Sequence, residues 1–428
     1  MKRVALILAG LLALVVILAG VVYVAFTGPG DIPPASRDLA NLSREDRAQM
    51  EEAGEYVARA GDCVACHKSP DGLALAGGTA METPVGSIFG SNITPSRDHG
   101  IADYSADDLY RAMVYGITPD GGHLYPAMPY TSYHAISRAD SDALWVWLMA
   151  QDPIERPNRP AELIFPFNLR PLVAFWNLIF RSDPPDQPVA GLTGADTGND
   201  PVARGRYLVE VLGHCGECHT PRNLAYARKP DAHLQGTVIE DALAPDITPG
   251  ALARRGWNAA DLEDFLAEGL SPQGVMTFRM FPVLSHSTKY LSPEDVSAVA
   301  AYLTEGAPAP APPAPNDGAL TDNAPGHALY LGLCAGCHGA EGQGQPFGSV
   351  PLRGNTSAMF DDPLNLVRII REGIPARHLT GYQRMQEMPA FADRLNDDEL
   401  AALVNYLRQR WGGHDRALSE EDVAGASG

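Results

Sequence analysis

All six cysteines of this chain fall in one pattern. Cys63 and Cys66 precede His67, Cys215 and Cys218 precede His219, and Cys334 and Cys337 precede His338. Each pair is spaced by two residues and is followed directly by histidine, so no cysteine remains for a structural disulfide. Three copies of so demanding a pattern in 428 residues require a fold built three times.

The sequence around the motifs repeats as well. A short helical segment carrying a glycine and a tyrosine runs into each cysteine pair, at Gly54 and Tyr56, Gly205 and Tyr207, and Gly326 and Tyr330. Glycine inside a helix costs about 1 kcal/mol relative to alanine, so its recurrence predicts a close helix crossing. Further on, Asp108–Pro119, Asp261–Pro272 and Leu366–Pro375 each read as a helix stopped by glycine and then proline. Amphipathic helices at Asp140–Ala150, Pro293–Leu303 and Asp397–Trp411 close the repeats. Their aromatics, Trp145 and Trp147, Tyr302, and Tyr406, are expected to pack at the glycines.

Cys-x-x-Cys-His attaches haem c through two thioethers, and the histidine becomes the proximal iron ligand. A redox dithiol does not need the adjacent histidine, and a zinc site needs two Cys pairs to meet. The sequence therefore predicts three covalently bound haem c groups on Cys63, Cys66, Cys215, Cys218, Cys334 and Cys337, with iron ligated by His67, His219 and His338. The histidines need a holder for their second ring nitrogen, often a backbone carbonyl. A proline carbonyl fits, with Pro351 the candidate in the third repeat.

Distal ligands are sought among 11 methionines. Met128 stands beside Pro129, 61 residues after its histidine, whereas Met113 reads as core. Met280 repeats that spacing of 61 in the second repeat, with Met276 and His286 as competitors. Met388 precedes Pro389 and is preferred to Met385. The other histidines, His99, His123, His134, His214, His233, His327, His378 and His414, read as surface or polar-network residues.

The N-terminus opens with Lys2 and Arg3, then 23 uncharged residues from Val4 to Phe26. As a helix that run spans about 35 Å, enough for a bilayer core. An uncleaved anchor and a cleaved signal both export the rest of the chain. Net charge is −20, from 32 Lys+Arg against 52 Asp+Glu, which disfavours nucleic acid. No P-loop, G-x-G-x-x-G, H-E-x-x-H or G-x-S-x-G motif occurs, so no catalytic residue is assigned. Between the first two repeats, Leu163–Phe180 is very apolar. It reads either as a connector packed across domains or as a partner or membrane-surface contact.

Beyond the haem motifs, the stretches Asn92–Pro95, Leu124–Tyr130, Pro166–Pro171, His214–Asn223 and Val283–Ser287 carry a family likeness. Over about residues 50–410 the chain resembles the tri-haem cytochrome c subunit of bacterial membrane-bound dehydrogenases, the alcohol dehydrogenase and gluconate 2-dehydrogenase cytochrome family. In the family pattern a ligand methionine stands three residues before Val283, which favours Met280. The wording of Ser271–Phe281 departs from that pattern.

The resemblance implies a mainly α fold, with three tandem class I cytochrome c domains after a single N-terminal transmembrane helix. The expected division is 1–30 anchor or signal, 45–152 first domain, 153–200 linker, 201–305 second domain, 306–322 Ala/Pro linker, 323–412 third domain and 413–428 acidic tail. It also implies an inner-membrane protein with its haem domains in the periplasm. A dehydrogenase catalytic subunit (quinoprotein, flavoprotein or molybdenum enzyme) would feed electrons to this chain, which would pass them to ubiquinone or a terminal oxidase. Two alternatives stand beside that reading. One is a self-sufficient haem redox enzyme, such as a thiosulfate dehydrogenase, with an open or labile second haem. The other is a fused oxidase subunit, disfavoured because the chain has no further apolar span.

Overall fold

A computed structural model describes residues 2–26, 32–185, 191–193, 200–306, 311, 313–346, 348–380 and 384–426. The core of the Ala/Pro linker, 307–310 and 312, lies outside these residues, as does much of 186–199.

Each repeat is framed by an opening and a closing helix that cross at the predicted glycine. The opening helices are Arg44–Ala60, Pro201–Arg206 and Ala324–Leu329. The second and third continue through a widened π turn, Tyr207–Leu212 and Tyr330–Cys334, toward the cysteines. The closing helices are Arg138–Met149, Pro293–Thr304 and Asp397–Trp411. A Cβ on Gly54 would lie 2.1 Å from the Ala143 carbonyl oxygen, on Gly205 1.9 Å from that of Ala298, and on Gly326 2.3 Å from that of Ala402. Only glycine admits such an approach of two backbones. Trp147, Tyr302 and Tyr406 sit at those crossings, as expected. Trp145 does not: its indole donates to the Tyr104 carbonyl at 2.8 Å.

The middle helices, Ala106–Tyr115, Ala259–Glu268 and Leu364–Glu372, stop at Gly116, Gly269 and Gly373, all at positive φ. Strands are few. Ala80–Thr83 pairs antiparallel with Gly86–Phe89, which also pairs with Glu162–Leu163, and Thr237–Ile239 pairs with Ala242–Ala244.

The chain divides into two compact units. One is Met1–Gly198 with Glu210–His214, and holds the first repeat. The other is Asn199–Val209 with Cys215–Gly428, and holds the second and third. Direct bonds join those last two repeats. Asn365 donates to and accepts from the Leu243 backbone at 2.8 Å each way, like a stray piece of strand. Thr356 N–H donates to the Gln273 carbonyl at 2.9 Å, and the Trp257 indole donates to the Thr356 hydroxyl at 2.9 Å.

The acidic tail is part of the third repeat's packing. Ser419 caps a helix over Glu420–Gly425 whose Val423 is fully buried with Tyr406, Leu407 and Trp411. Asn405 fixes the approach by bonding both ways to the Leu418 backbone. Leu418 and Ala426 pack against the same cluster, so a few apolar side chains dock an otherwise polar segment.

At the N-terminus, Lys2–Phe26 forms one helix of 25 residues that packs on the helix Val173–Phe180. Several side chains of this helix lie outside the described set. Among the described residues no helix is long and apolar enough to cross a membrane. Within the apolar connector, Val173, Ala174 and Asn177 turn inward, while Ile164, Phe165, Phe167, Leu178 and Ile179 stay exposed.

Candidate haem sites

The three motif histidines share one support. His67 Nδ1 bonds the Ser91 carbonyl at 2.7 Å, His219 Nδ1 that of Pro245 at 2.7 Å, and His338 Nδ1 that of Val350 at 3.0 Å. A carbonyl only accepts, so Nδ1 carries the proton and Nε2 keeps a lone pair that could ligate. Burial holds all three imidazoles below the ordinary histidine pKa, which keeps them neutral as an iron ligand requires. The holder is a backbone carbonyl in every case, but a proline carbonyl only in the second. In the third repeat it is Val350, one residue before the expected Pro351.

The offset has a structural reason. Gly77, Gly236 and Gly344 donate to the carbonyls of His67, His219 and His338 at 2.7, 2.8 and 2.8 Å. All three glycines are at positive φ, and each lies against the backbone N of Asn92, Asp246 or Pro351. Pro351 therefore stands where Asn92 and Asp246 stand, and the carbonyl offered to the imidazole belongs to the preceding residue. Asn92 Oδ1 accepts from Thr94 N–H and hydroxyl at 2.9 and 2.7 Å, and Asp246 Oδ1 from Thr248 N–H and hydroxyl at 2.8 and 2.6 Å. This side-chain turn aims the preceding carbonyl. Its sequence signal was the echo of Asn92-Ile-Thr-Pro95 in Asp246-Ile-Thr-Pro249.

None of the six cysteines is in a disulfide. Burial, with Asp62 and Cys66 nearby, pushes the Cys63 thiol up to about 12, and burial with Cys337 nearby pushes Cys334 to about 11. A redox dithiol needs a depressed pKa, and Cys63 and Cys334 are shifted the opposite way. Among the described residues no cluster of three His, Cys, Asp or Glu gathers for a metal, so the Cys pairs do not meet as a zinc site would need. A pair of thiols beside a fixed, neutral imidazole is what thioether attachment and iron ligation use, so the residues present fit haem c.

The distal loops can be aligned by their backbone bonds. In the first repeat Leu124 N–H donates to the Gly116 carbonyl at 2.8 Å, and Met128 N–H to that of Tyr125 at 3.0 Å. In the second, Met276 N–H donates to the Gly269 carbonyl at 2.8 Å, and Met280 N–H to that of Thr277 at 3.1 Å. Met276 thus occupies the place of Leu124, and Met280 the place of Met128. Met276 is fully buried, whereas Met128, Met280 and Met388 each keep a partly open face. His286 closes the helix Met280–His286. In the third repeat Met388 exchanges both backbone bonds with Ile374 at 2.9 Å, next to Gly373. Met385 lies in the strand Arg384–Met385, paired with Arg377–His378. Met113 is buried mid-helix, as expected for core.

Beneath the first distal loop lies a polar network that spacing did not single out. The Tyr130 hydroxyl donates to Asn177 Oδ1 at 2.7 Å, Asn177 Nδ2 approaches His123 Nδ1 at 3.3 Å, and Arg170 donates to the His123 carbonyl at 3.3 Å.

The cytochrome c family model matches residues 323–411, the third repeat, which implies covalently bound haem c there. Over 379 residues the chain is 39% identical to a nicotinate dehydrogenase subunit of Pseudomonas putida, covering 85% of this chain but 30% of that protein. It is 34% identical over 426 residues to the fructose dehydrogenase cytochrome subunit of Gluconobacter japonicus, covering 92% of this chain and 84% of the relative. It is 36% identical over 408 residues to the gluconate 2-dehydrogenase cytochrome c subunit of Pantoea cypripedii, covering 87% and 88%.

Proposed function

Because this chain belongs to the family of cytochrome c subunits of fructose, gluconate 2- and alcohol dehydrogenases, we propose that it is the electron-transfer subunit of such a complex. In this reading it forms three cytochrome c domains and holds three haem c groups. It takes electrons from a dehydrogenase catalytic subunit (quinoprotein, flavoprotein or molybdenum enzyme) and gives them to ubiquinone or a terminal oxidase.

The observation that carries the reading is the threefold histidine site, with Nδ1 held by a carbonyl and Nε2 left to ligate. Haem c, when bound, supplies a one-electron iron couple. The chain does the rest. Cys63/Cys66, Cys215/Cys218 and Cys334/Cys337 would hold the group covalently, and His67, His219 and His338 would ligate from one side. Met128, Met280 and Met388 would ligate from the other, and a thioether there raises the potential. With a histidine and a methionine both given to each group, the sites would suit electron transfer and would leave no place for a substrate. No observation favours an open second haem, since Met280 shares its backbone setting with Met128.

The same proposal places the protein at the inner membrane, with its haem repeats in the periplasm. One feature supports it. The connector, residues 163–180, exposes apolar side chains and Arg170 and carries no acid, in a chain of net charge −20. That is the composition of a segment lying on a lipid surface.

Purification of the native protein in mild detergent, with cofactor analysis and a haem count, tests the proposal. A larger partner bearing a quinone, flavin or molybdenum cofactor, with three haems per chain, supports it. A lone protein, or fewer than three haems, overturns it.

A further inference from the structure

We propose that Arg377 and Arg368, two arginines of the third repeat, position the distal loop of the second. The redox poise of the second haem is thereby set from its neighbour. This rests on Met280 being that haem's ligand, as proposed above.

The loop from Gly269 to Phe281 is bracketed by the third repeat. The Arg377 guanidinium lies 3.8 Å from the centre of the Phe281 ring, and its Nη1 donates to the Met276 carbonyl at 3.3 Å. Phe281 directly follows Met280, and Met276 precedes it by four residues, so one side chain grips the loop on both sides of the ligand. Arg368 stands 4.9 Å from the Phe278 ring and donates to the Asp241 carbonyl at 2.5 Å. Phe278 adopts a left-handed conformation (φ 47°) that a bulky residue holds only when its surroundings enforce it. Buried Leu379 packs on the turn at Gly269, 3.2 Å from where a Cβ would stand. The Asn365 and Thr356 bonds fix the two repeats together, so these contacts are held in register.

The two arginines differ in how their charge is balanced. Arg368 is paired with Glu372 through two bonds of 2.8 and 2.9 Å, so a carboxylate offsets its charge. Among the described residues Arg377 pairs with no carboxylate. Beside an aromatic face and with its water partly removed, an unpaired guanidinium binds firmly. It also leaves a positive charge next to the ligand loop. Such a charge disfavours the oxidised iron, which carries one more positive charge than the reduced form. Arg377 is therefore a positioning residue that also raises the second haem's potential, and Arg368 positions alone.

The test uses the full-length, haem-loaded protein and equilibrium redox titration followed by absorbance. Met280→Ala comes first. It should change the spectrum of one haem, which labels that haem and tests the ligand assignment separately. Arg377→Leu should then shift the reduction equilibrium of the same haem three- to tenfold toward the oxidised form, tenfold being 59 mV for one electron. Arg377→Lys should restore most of that shift, because it keeps the charge. Phe281→Leu should move the same haem, and its combination with Arg377→Leu should give less than the product of the two. Arg368→Leu should act more weakly. An Arg377→Leu protein of unchanged secondary structure whose second haem stays within twofold of wild type overturns the inference, as does a shift confined to the third repeat's haem. If Met280→Ala alters no haem, the ligand assignment fails instead.

Discussion

The distal loops of the first and second repeats share a backbone and differ in what stands behind it. Each hangs from a left-handed glycine, Gly116 or Gly269, and each places its methionine on a tight turn. Behind the first loop are residues of the adjoining connector, where Tyr130 is fully buried and bonded to Asn177. Behind the second are Arg377 and Leu379 of another repeat. Local hydrogen bonds are enough to set the shape of the loop. Its rigidity is supplied from wherever the chain next folds back, so two loops of one shape need not be equally stiff.

The largest expected effect concerns the frame that the loops share. Gly54→Ala and Gly205→Ala each force a methyl into a carbonyl oxygen, at 2.1 and 1.9 Å, and neither crossing backbone is free to yield. Each should cost about 3 kcal/mol or more, read as loss of the denaturation midpoint in the repeat concerned. A neutral Gly205→Ala would show that the second repeat is framed differently after all.

Next comes the pair of methionines. Met276→Ala should lose about 2–4 kcal/mol of stability, because it empties a fully buried site, and leave all haem spectra unchanged. Met280→Ala should do the reverse, with a small stability loss and one altered spectrum. A spectral change in Met276→Ala would overturn the alignment of Met276 with Leu124. A smaller effect should separate the two supports. Tyr130→Phe removes a buried hydrogen bond and leaves Asn177 Oδ1 short of a donor, costing about 1–2 kcal/mol. Chemical denaturation should place that loss in the first repeat and leave the second unmoved.

Much of this was legible in the sequence because it depends on one residue at a time. The motif histidines, the helix-crossing glycines and the glycine stops are demands of local geometry, and a repeat displays each three times. The carbonyl holders were misjudged in the third repeat because a carbonyl is anonymous. Only the turn that aims it has a sequence mark, and Pro351 lacks the side-chain oxygen that Asn92 and Asp246 use. Arg377 was invisible for another reason. Its partners, Met276 and Phe281, lie about a hundred residues away in another repeat, and no periodicity links them. The docked tail was hidden because Leu418, Val423 and Ala426 are too few to display an apolar period.

The smallest expected effect is at the closing helices. Ser137 and Ser292 each cap their helix by accepting from the third residue's N–H, at 3.0 Å from Asp140 and 3.2 Å from Asp295. Ser137→Ala and Ser292→Ala should each cost about 1 kcal/mol. The two acids are both fully buried but are used differently. Asp140 accepts from the backbone N–H groups of Leu192 and Thr193, at 2.8 and 2.7 Å, and so pins the connector. Asp295 pairs with Arg204 on the opening helix of its own repeat, with Nη2 at 3.1 Å from Oδ2. Losing the cap frays the first turn that carries each acid. In the first repeat this loosens a segment outside the helical frame. In the second it loosens the pair that ties opening helix to closing helix. Denaturation should therefore show Ser292→Ala losing the more of the two. Equal losses would mean that the Arg204–Asp295 pair holds without its cap, and that the second repeat's frame is as self-sufficient as the first's even where its ligand loop is not.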